Sequence, residues 1–201
     1  MSGEIDVIGI SEVYDFVHSS RVLKDTLRYS NNSLVGTKDT VASHTWRAEM
    51  FPILLREEFE KEGINATRVL ELLNLHDQVE RESGEVEALG HRNREEKKQR
   101  EERVADNLFS SFSGLWIKRA NELTQEFMAQ VTIESKVAKA LENLESNMHV
   151  IEEIKPILDP DHRKLTIEYV ERRRGISKVV DALIEIQLKE IDKITCESGT
   201  L

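Results

Sequence analysis

His76 and Asp77 stand side by side at the end of an apolar helical run, Leu72-Leu73-Asn74-Leu75, and Glu80 follows three residues later. An imidazole and a carboxylate both prefer water or a partner, so their place at the end of a buried helix asks for one. A divalent metal ion is one such partner, taking an imidazole nitrogen and a carboxylate oxygen as ligands. A structural pair is the other, with Asp77 capping a backbone end and His76 satisfied in the core. These residues alone leave both open.

The whole chain narrows the chemistry. Its 201 residues suit one medium domain with a sizeable core, and 33% charged with only 5% aromatic residues leans towards helices. A formal net charge of −10 repels phosphate backbones, which argues against a nucleic-acid polymer as partner. A small anionic substrate would need local cations, a metal among them. The single cysteine, Cys196, lies in the C-terminal tail, which excludes an intramolecular disulfide, fits a reducing compartment and gives a thiol nucleophile no support. Met1–Asp6 carries no cationic leader, and no stretch approaches the ~18 apolar residues of a membrane span. The expectation is a soluble, cytoplasmic protein with no membrane partner.

The elements that must position these residues read as helices throughout. Ser11 looks like an N-cap, and Val13, Phe16, Val17, Val22, Leu23 and Leu27 follow at roughly helical spacing until Asn31-Asn32-Ser33. A second helix is predicted over about Val41–Glu62, with Trp46, Met50, Phe51, Leu54, Leu55 and Phe59 on its apolar stripe. Pro52 should kink it and Gly63 should close it. Asn65 caps a third helix, apolar over most of its circumference and therefore central. Ser83-Gly84-Glu85 marks a turn, and the almost wholly charged run from Gly90 to Arg103 reads as the solvated start of a fourth helix, anchored by Val104, Leu108, Phe109 and Phe112. After Gly114 comes a fifth, carrying Leu115, Trp116, Leu123 and Phe127. The longest pattern is Val137, Leu141, Leu144, Met148, Ile151 and Ile154, which stops at Pro156. Asp159-Pro160 starts a short helix ending near Gly175, and Ile176 to Ile191 form the last. With no strand alternation, repeat or long linker, the predicted fold class is all-α, one domain over 1–201 (core about 11–194, short frayed termini) with about seven or eight helices.

On this frame the residues form an ordered pattern. Ser43-His44-Thr45-Trp46-Arg47 resembles the first histidine motif of HD-domain metal-dependent phosphohydrolases, and His76-Asp77 resembles their second. Lys139-Ala140-Leu141-Glu142-Asn143-Leu144-Glu145 resembles the last, with Glu142 where those proteins usually carry Asp. The gaps of 32 residues from His44 to His76 and 65 from Asp77 to Glu142 also suit that family. The 5′-deoxynucleotidase subfamily is similar in more detail. Its His-Asp-x-x-Glu and Gly-Asp are matched by His76-Asp77-Gln78-Val79-Glu80 and Gly84-Glu85, and its charged helix by Arg94-Glu95-Glu96-Lys97-Lys98. Glu134–Lys139 is similar too, and the resemblance covers most of Arg21–Ile191.

The resemblance implies one divalent ion on His44, His76, Asp77 and Glu142. That donor set suits Mn²⁺, Co²⁺, Fe²⁺ or Zn²⁺ in preference to Mg²⁺. It implies catalytic roles for Asp77 and for Glu80, the proposed general acid towards the leaving 5′-oxygen. Arg28 would contact the nucleotide, and Glu85 would stand in for an Asp that helps select deoxyribose. Tyr29 stands where many of these enzymes have Trp. Glu142 and Glu85 are each one methylene longer than the usual Asp, which keeps charge and ligand atom but alters reach. His18, His91, His149 and His162 match no motif. The expected function is metal-dependent release of phosphate from small nucleotides, foremost 5′-deoxynucleoside monophosphates, by a homodimer. The alternatives are a deoxynucleoside triphosphate triphosphohydrolase and a catalytically degenerate HD-fold binding protein.

Overall fold

Thr40 starts the helix that carries His44. Its hydroxyl accepts from the Ser43 amide at 3.2 Å, and the Ser43 hydroxyl accepts from the Thr40 amide at 2.9 Å. Two end donors are thereby satisfied reciprocally. The computed structural model describes residues 7–30, 32–36, 39–83, 108–109, 112 and 114–198. Within them run α1 (Val7–Ser19), a 3₁₀ turn (Ser20–Lys24), α2 (Val41–Leu54), α3 (Arg56–Lys61) and α4 (Ala66–Leu75). A 3₁₀ turn (His76–Val79) and α5 (Glu80–Ser83) follow, then α6 (Trp116–Ala129), α7 (Ile133–Glu152), α8 (Lys155–Leu158), α9 (Pro160–Glu171) and α10 (Lys178–Ser198). The fold is all-α as expected. Among the described residues the one piece of β pairing is an antiparallel bridge between Leu27 and Thr40.

The helices α2, α4 and α7 pack on one another, with α6 and α10 against α7. Val69, Leu72 and Leu73 of α4 meet Val137, Leu141 and Leu144 of α7 in the main core, and Phe59, Phe127 and Ile184 close it. Asn65 caps α4 as its sequence predicts, accepting from the Arg68 amide at 3.0 Å. Asp159 caps α9 from the His162 amide at 2.8 Å, with Pro160 in the first turn. Gly63 takes φ +73 after α3, the left-handed conformation that a glycine adopts without a Cβ clash.

Several elements differ from the sequence reading. Ser11 lies inside α1 (Val7–Ser19), and the helix ends at Ser19 rather than running on to Asn31. Phe16 and Leu23 are buried, but Val13, Val17, Val22 and Leu27 are exposed. The second predicted helix breaks at Leu55, three residues after Pro52, into α2 and α3. Its inner stripe is His44, Ala48, Pro52 and Phe59, whereas Trp46, Met50 and Leu54 face solvent. Of the predicted stripe Phe51, Leu55 and Phe59 do pack in the core, and periodicity failed for the other three because α2 turns small and polar residues inwards beside the site. The predicted charged helix of 90–103 and Val104 lie outside the described residues.

Candidate metal centre

Two helix ends and one helix middle supply the polar groups of the interior. His44 stands in the second turn of α2, and His76 and Asp77 open the 3₁₀ turn where α4 loses its α-helical pitch. Glu142 and Glu145 lie midway along α7. The candidate donor atoms of His44, His76 and Asp77 all lie within 4.8 Å of one another. His76 Nε2 is 2.9 Å from Asp77 Oδ1, and His44 Nε2 is 3.8 Å from Asp77 Oδ2. The two imidazole rings meet edge to face at 5.6 Å.

Each histidine is held by its other nitrogen. His76 Nδ1 donates to the Leu73 carbonyl at 2.5 Å, and His44 Nδ1 hydrogen-bonds Glu145 Oε2. Both rings therefore turn Nε2 towards Asp77, the tautomer a metal-binding imidazole needs. His76 Nε2 is buried without a well-directed hydrogen bond. A buried nitrogen with an available lone pair, a second imidazole and a carboxylate are the donor set of a borderline divalent cation, and three protein ligands leave open positions for water or substrate. The residues present fit such an ion.

The charges agree. Burial works against the Asp77 carboxylate, but the His76 and His44 imidazoles beside it prevail and hold its pKa well below the ordinary range. Burial likewise disfavours a charged His76, and Asp77 reverses that and raises its pKa. Burial opposes ionisation of Glu142 as well; Lys139 foremost, then His44 and His76, bring its pKa down to about 2.

Glu142, expected as the fourth ligand, is buried near the histidines but stays outside the converging group. Its Oε2 pairs with Lys139 Nζ at 2.8 Å. Glu80 is buried directly after the 3₁₀ turn, which replaces the continuous helix that would have stacked it over His76. Gln78 in that turn accepts from the Ser20 hydroxyl at 2.9 Å, tying the turn to the first 3₁₀ segment. Arg28, expected to contact the nucleotide, is buried. It donates to Asp39 Oδ2 at 3.0 Å, Ser146 Oγ at 2.8 Å and Glu145 Oε2 at 3.4 Å. Its neighbour Tyr29 is buried too, with φ 57 and its ring stacked on His149. Glu85 lies outside the described residues.

Sequence reasoning assigned no role to Glu145. It is fully buried and takes contacts from His44, from Arg28, and from Arg47 Nε at 3.3 Å. The one signal in the sequence was a second carboxylate three residues after Glu142, between Leu144 and Met148 of the apolar stripe.

An HD-domain family model matches residues 21–184. A protein from Magnetospirillum magnetotacticum, described as a predicted metal-dependent phosphohydrolase, is similar in structure, with a TM-score of 0.76 at 23% identity over 95% of this chain and 96% of that one. A conserved hypothetical protein from Pyrococcus furiosus is similar with a TM-score of 0.69 at 19% identity over 88% and 99%. No curated protein matches. The match over 21–184 spans His44, the adjoining His76 and Asp77, and Glu142, and the chain belongs to the HD-domain family.

Proposed function

We propose that this protein is a metal-dependent phosphohydrolase that releases phosphate from small nucleotides, foremost 5′-deoxynucleoside monophosphates. The observation that carries the reading is the convergence of His44, His76 and Asp77 in an HD domain, both imidazoles presenting Nε2. The description of the Magnetospirillum protein supports the reaction class. The deoxynucleotidase assignment is supported by the His76-Asp77-Gln78-Val79-Glu80 motif and the Gly84-Glu85 that follows it.

A divalent ion held by His44, His76 and Asp77 would supply Lewis acidity towards a phosphoryl oxygen and acidify water at neutral pH. The chain's own residues do the rest. Glu145 fixes the His44 ring, and the Leu73 carbonyl fixes His76. Glu80, buried beyond Asp77, hands a proton to the leaving 5′-oxygen, whose departure as an alkoxide would otherwise be slow. Glu85 contacts the sugar. The physiological form is a cytoplasmic homodimer.

A phosphate-release screen tests this. Metal-stripped protein receives Mn²⁺, Co²⁺, Zn²⁺ or Mg²⁺ with each deoxy- and ribonucleoside mono- and triphosphate. Metal-dependent orthophosphate from deoxy-monophosphates is expected, and it should vanish in a His76→Ala, Asp77→Ala double variant. Turnover that survives that variant sinks the proposal, while tripolyphosphate from triphosphates moves the protein to the triphosphohydrolase reading. The Lys139–Glu142 pair favours one rival, a degenerate HD-fold binding protein. Purified protein without stoichiometric metal, and inert after metal addition, would establish that rival.

A further inference from the structure

We infer that Lys139 is the side chain that takes the phosphoryl charge of the substrate, with Glu142 as its counter-ion between turnovers rather than a fourth permanent ligand. The inference rests on the phosphohydrolase reading above and goes beyond it, because no motif assigns Lys139 a role.

The starting point is an imbalance of charge. The carboxylates of Asp77, Glu142 and Glu145 lie beside the two histidines, Asp77 part-exposed and the other two buried, and Glu80 is buried three residues after Asp77, in a chain of net charge −10. Admitting a phosphate dianion to such a site needs a cation besides the ion. Arg28 and Arg47 pair with Glu145, and Lys139 pairs with Glu142.

The two arginines are engaged in holding Glu145. Arg28, its side chain 8% exposed, forks into Asp39, Ser146 and Glu145. Arg47 grips Glu152 with Nη1 at 3.0 Å and Nη2, and reaches Glu145 with Nε. Planar forks of this kind are rigid, and pulling either one away would take a cation from the buried Glu145 carboxylate.

Lys139 is placed differently. Its ammonium lies 2.8 Å from Glu142 Oε2 and 5.3 Å from the centre of the Phe127 ring. The same Phe127 ring packs against His76 at 5.0 Å, so one aromatic side chain fixes both the ammonium and an imidazole of the metal trio. The Lys139 side chain is 27% exposed, against 10% for Glu142, so a ligand arriving from solvent meets the lysine first. A lysine ammonium is a point charge on a flexible stem, and it can turn from a carboxylate to a phosphate oxygen by bond rotation alone. Glu142, one helical turn along α7, keeps the ammonium in place until then.

The test uses full-length protein loaded with Zn²⁺ and inorganic phosphate as the probe. Titration calorimetry measures phosphate and Zn²⁺ affinity for wild type, Lys139→Met and Lys139→Arg. Phosphate affinity should fall about 10-fold or more in Lys139→Met and recover in part in Lys139→Arg, with Zn²⁺ affinity held within about threefold. Unchanged phosphate affinity in Lys139→Met overturns the inference, as does a parallel loss of Zn²⁺ affinity, which would make Lys139 a support of the metal site. A second measurement needs no folded Met variant. The ¹³Cε resonance of Lys139 in labelled wild type, assigned by its absence from Lys139→Arg, should move on phosphate addition, and a stationary resonance overturns the inference. Phosphate bound with Lys139 unmoved refutes this inference alone. Zn²⁺ bound without any phosphate affinity refutes the phosphohydrolase reading with it.

Discussion

Glu145 has no exposed surface, and three basic side chains meet its carboxylate, Arg28 from the segment before α2 and His44 and Arg47 from α2 itself. Its bond to His44 Nδ1 sets which imidazole nitrogen faces Asp77. Replacing Glu145 with Gln keeps the volume but removes the charge that favours an N–H on Nδ1. Metal affinity should fall ~10–100-fold, the usual cost of losing a group that orients a ligand, while helicity measured by circular dichroism stays unchanged. Unaltered Zn²⁺ affinity in that variant would show that the His44 orientation does not depend on Glu145. At this scale the sequence was readable where residue type and order carry the information. His76 and Asp77 stood out because an adjoining imidazole and carboxylate are unusual at the end of an apolar helix, and His44 was found through the resemblance of Ser43-His44-Thr45-Trp46-Arg47 to the first HD-domain motif. Glu145 escaped because a carboxylate between apolar positions has the same spacing whether it points to solvent or into a buried ion cluster. Arg28 was identified as important, and the structure surrounds it with protein partners that spacing along the chain does not encode.

The helices explain why the site residues meet at all. The Asn65 cap fixes where α4 begins, and the change to 3₁₀ winding at His76 fixes where its histidine points. An Asn65→Ala variant should lose ~1 kcal/mol in urea unfolding, the ordinary value of such a cap. A much larger loss would mean that removing the cap also loosens the Asn65 backbone N–H, which donates to Glu134 at 3.1 Å and ties α4 to α7. Cap residues and breakers were legible: Asn65, Gly63 and Asp159-Pro160 act as their types predict. Helix faces were less so. Of the inward stripe expected over 41–62, Phe51, Leu55 and Phe59 pack in the core, whereas Trp46, Met50 and Leu54 are exposed. Periodicity assumes that the apolar face is the buried one, and α2 violates that because it spends its inner face on His44 and on small residues that let α4 and α7 approach.

For the molecule as a whole, the three-helix centre and the metal site are the same place, so ion binding and folding must be coupled. An ion that binds the folded chain alone at one hundred times its dissociation constant should add ~2.7 kcal/mol to stability. Thermal unfolding with and without Zn²⁺ should show that increment in wild type and lose it in the His76→Ala, Asp77→Ala double variant. An equal increment in both would place the ion elsewhere. The same coupling reaches the start of the chain. Arg28 lies ahead of α2 on the segment bridged through Leu27 to Thr40, and its guanidinium is one of the cations that neutralise Glu145. None of the candidate metal trio resides in the first thirty residues, yet Arg28 acts through Glu145 as a clasp on the first histidine. A protease that severed the chain between Arg28 and α2 and released the N-terminal piece would leave His44, His76 and Asp77 in place, strand a buried carboxylate with one cation fewer, and disarm the site.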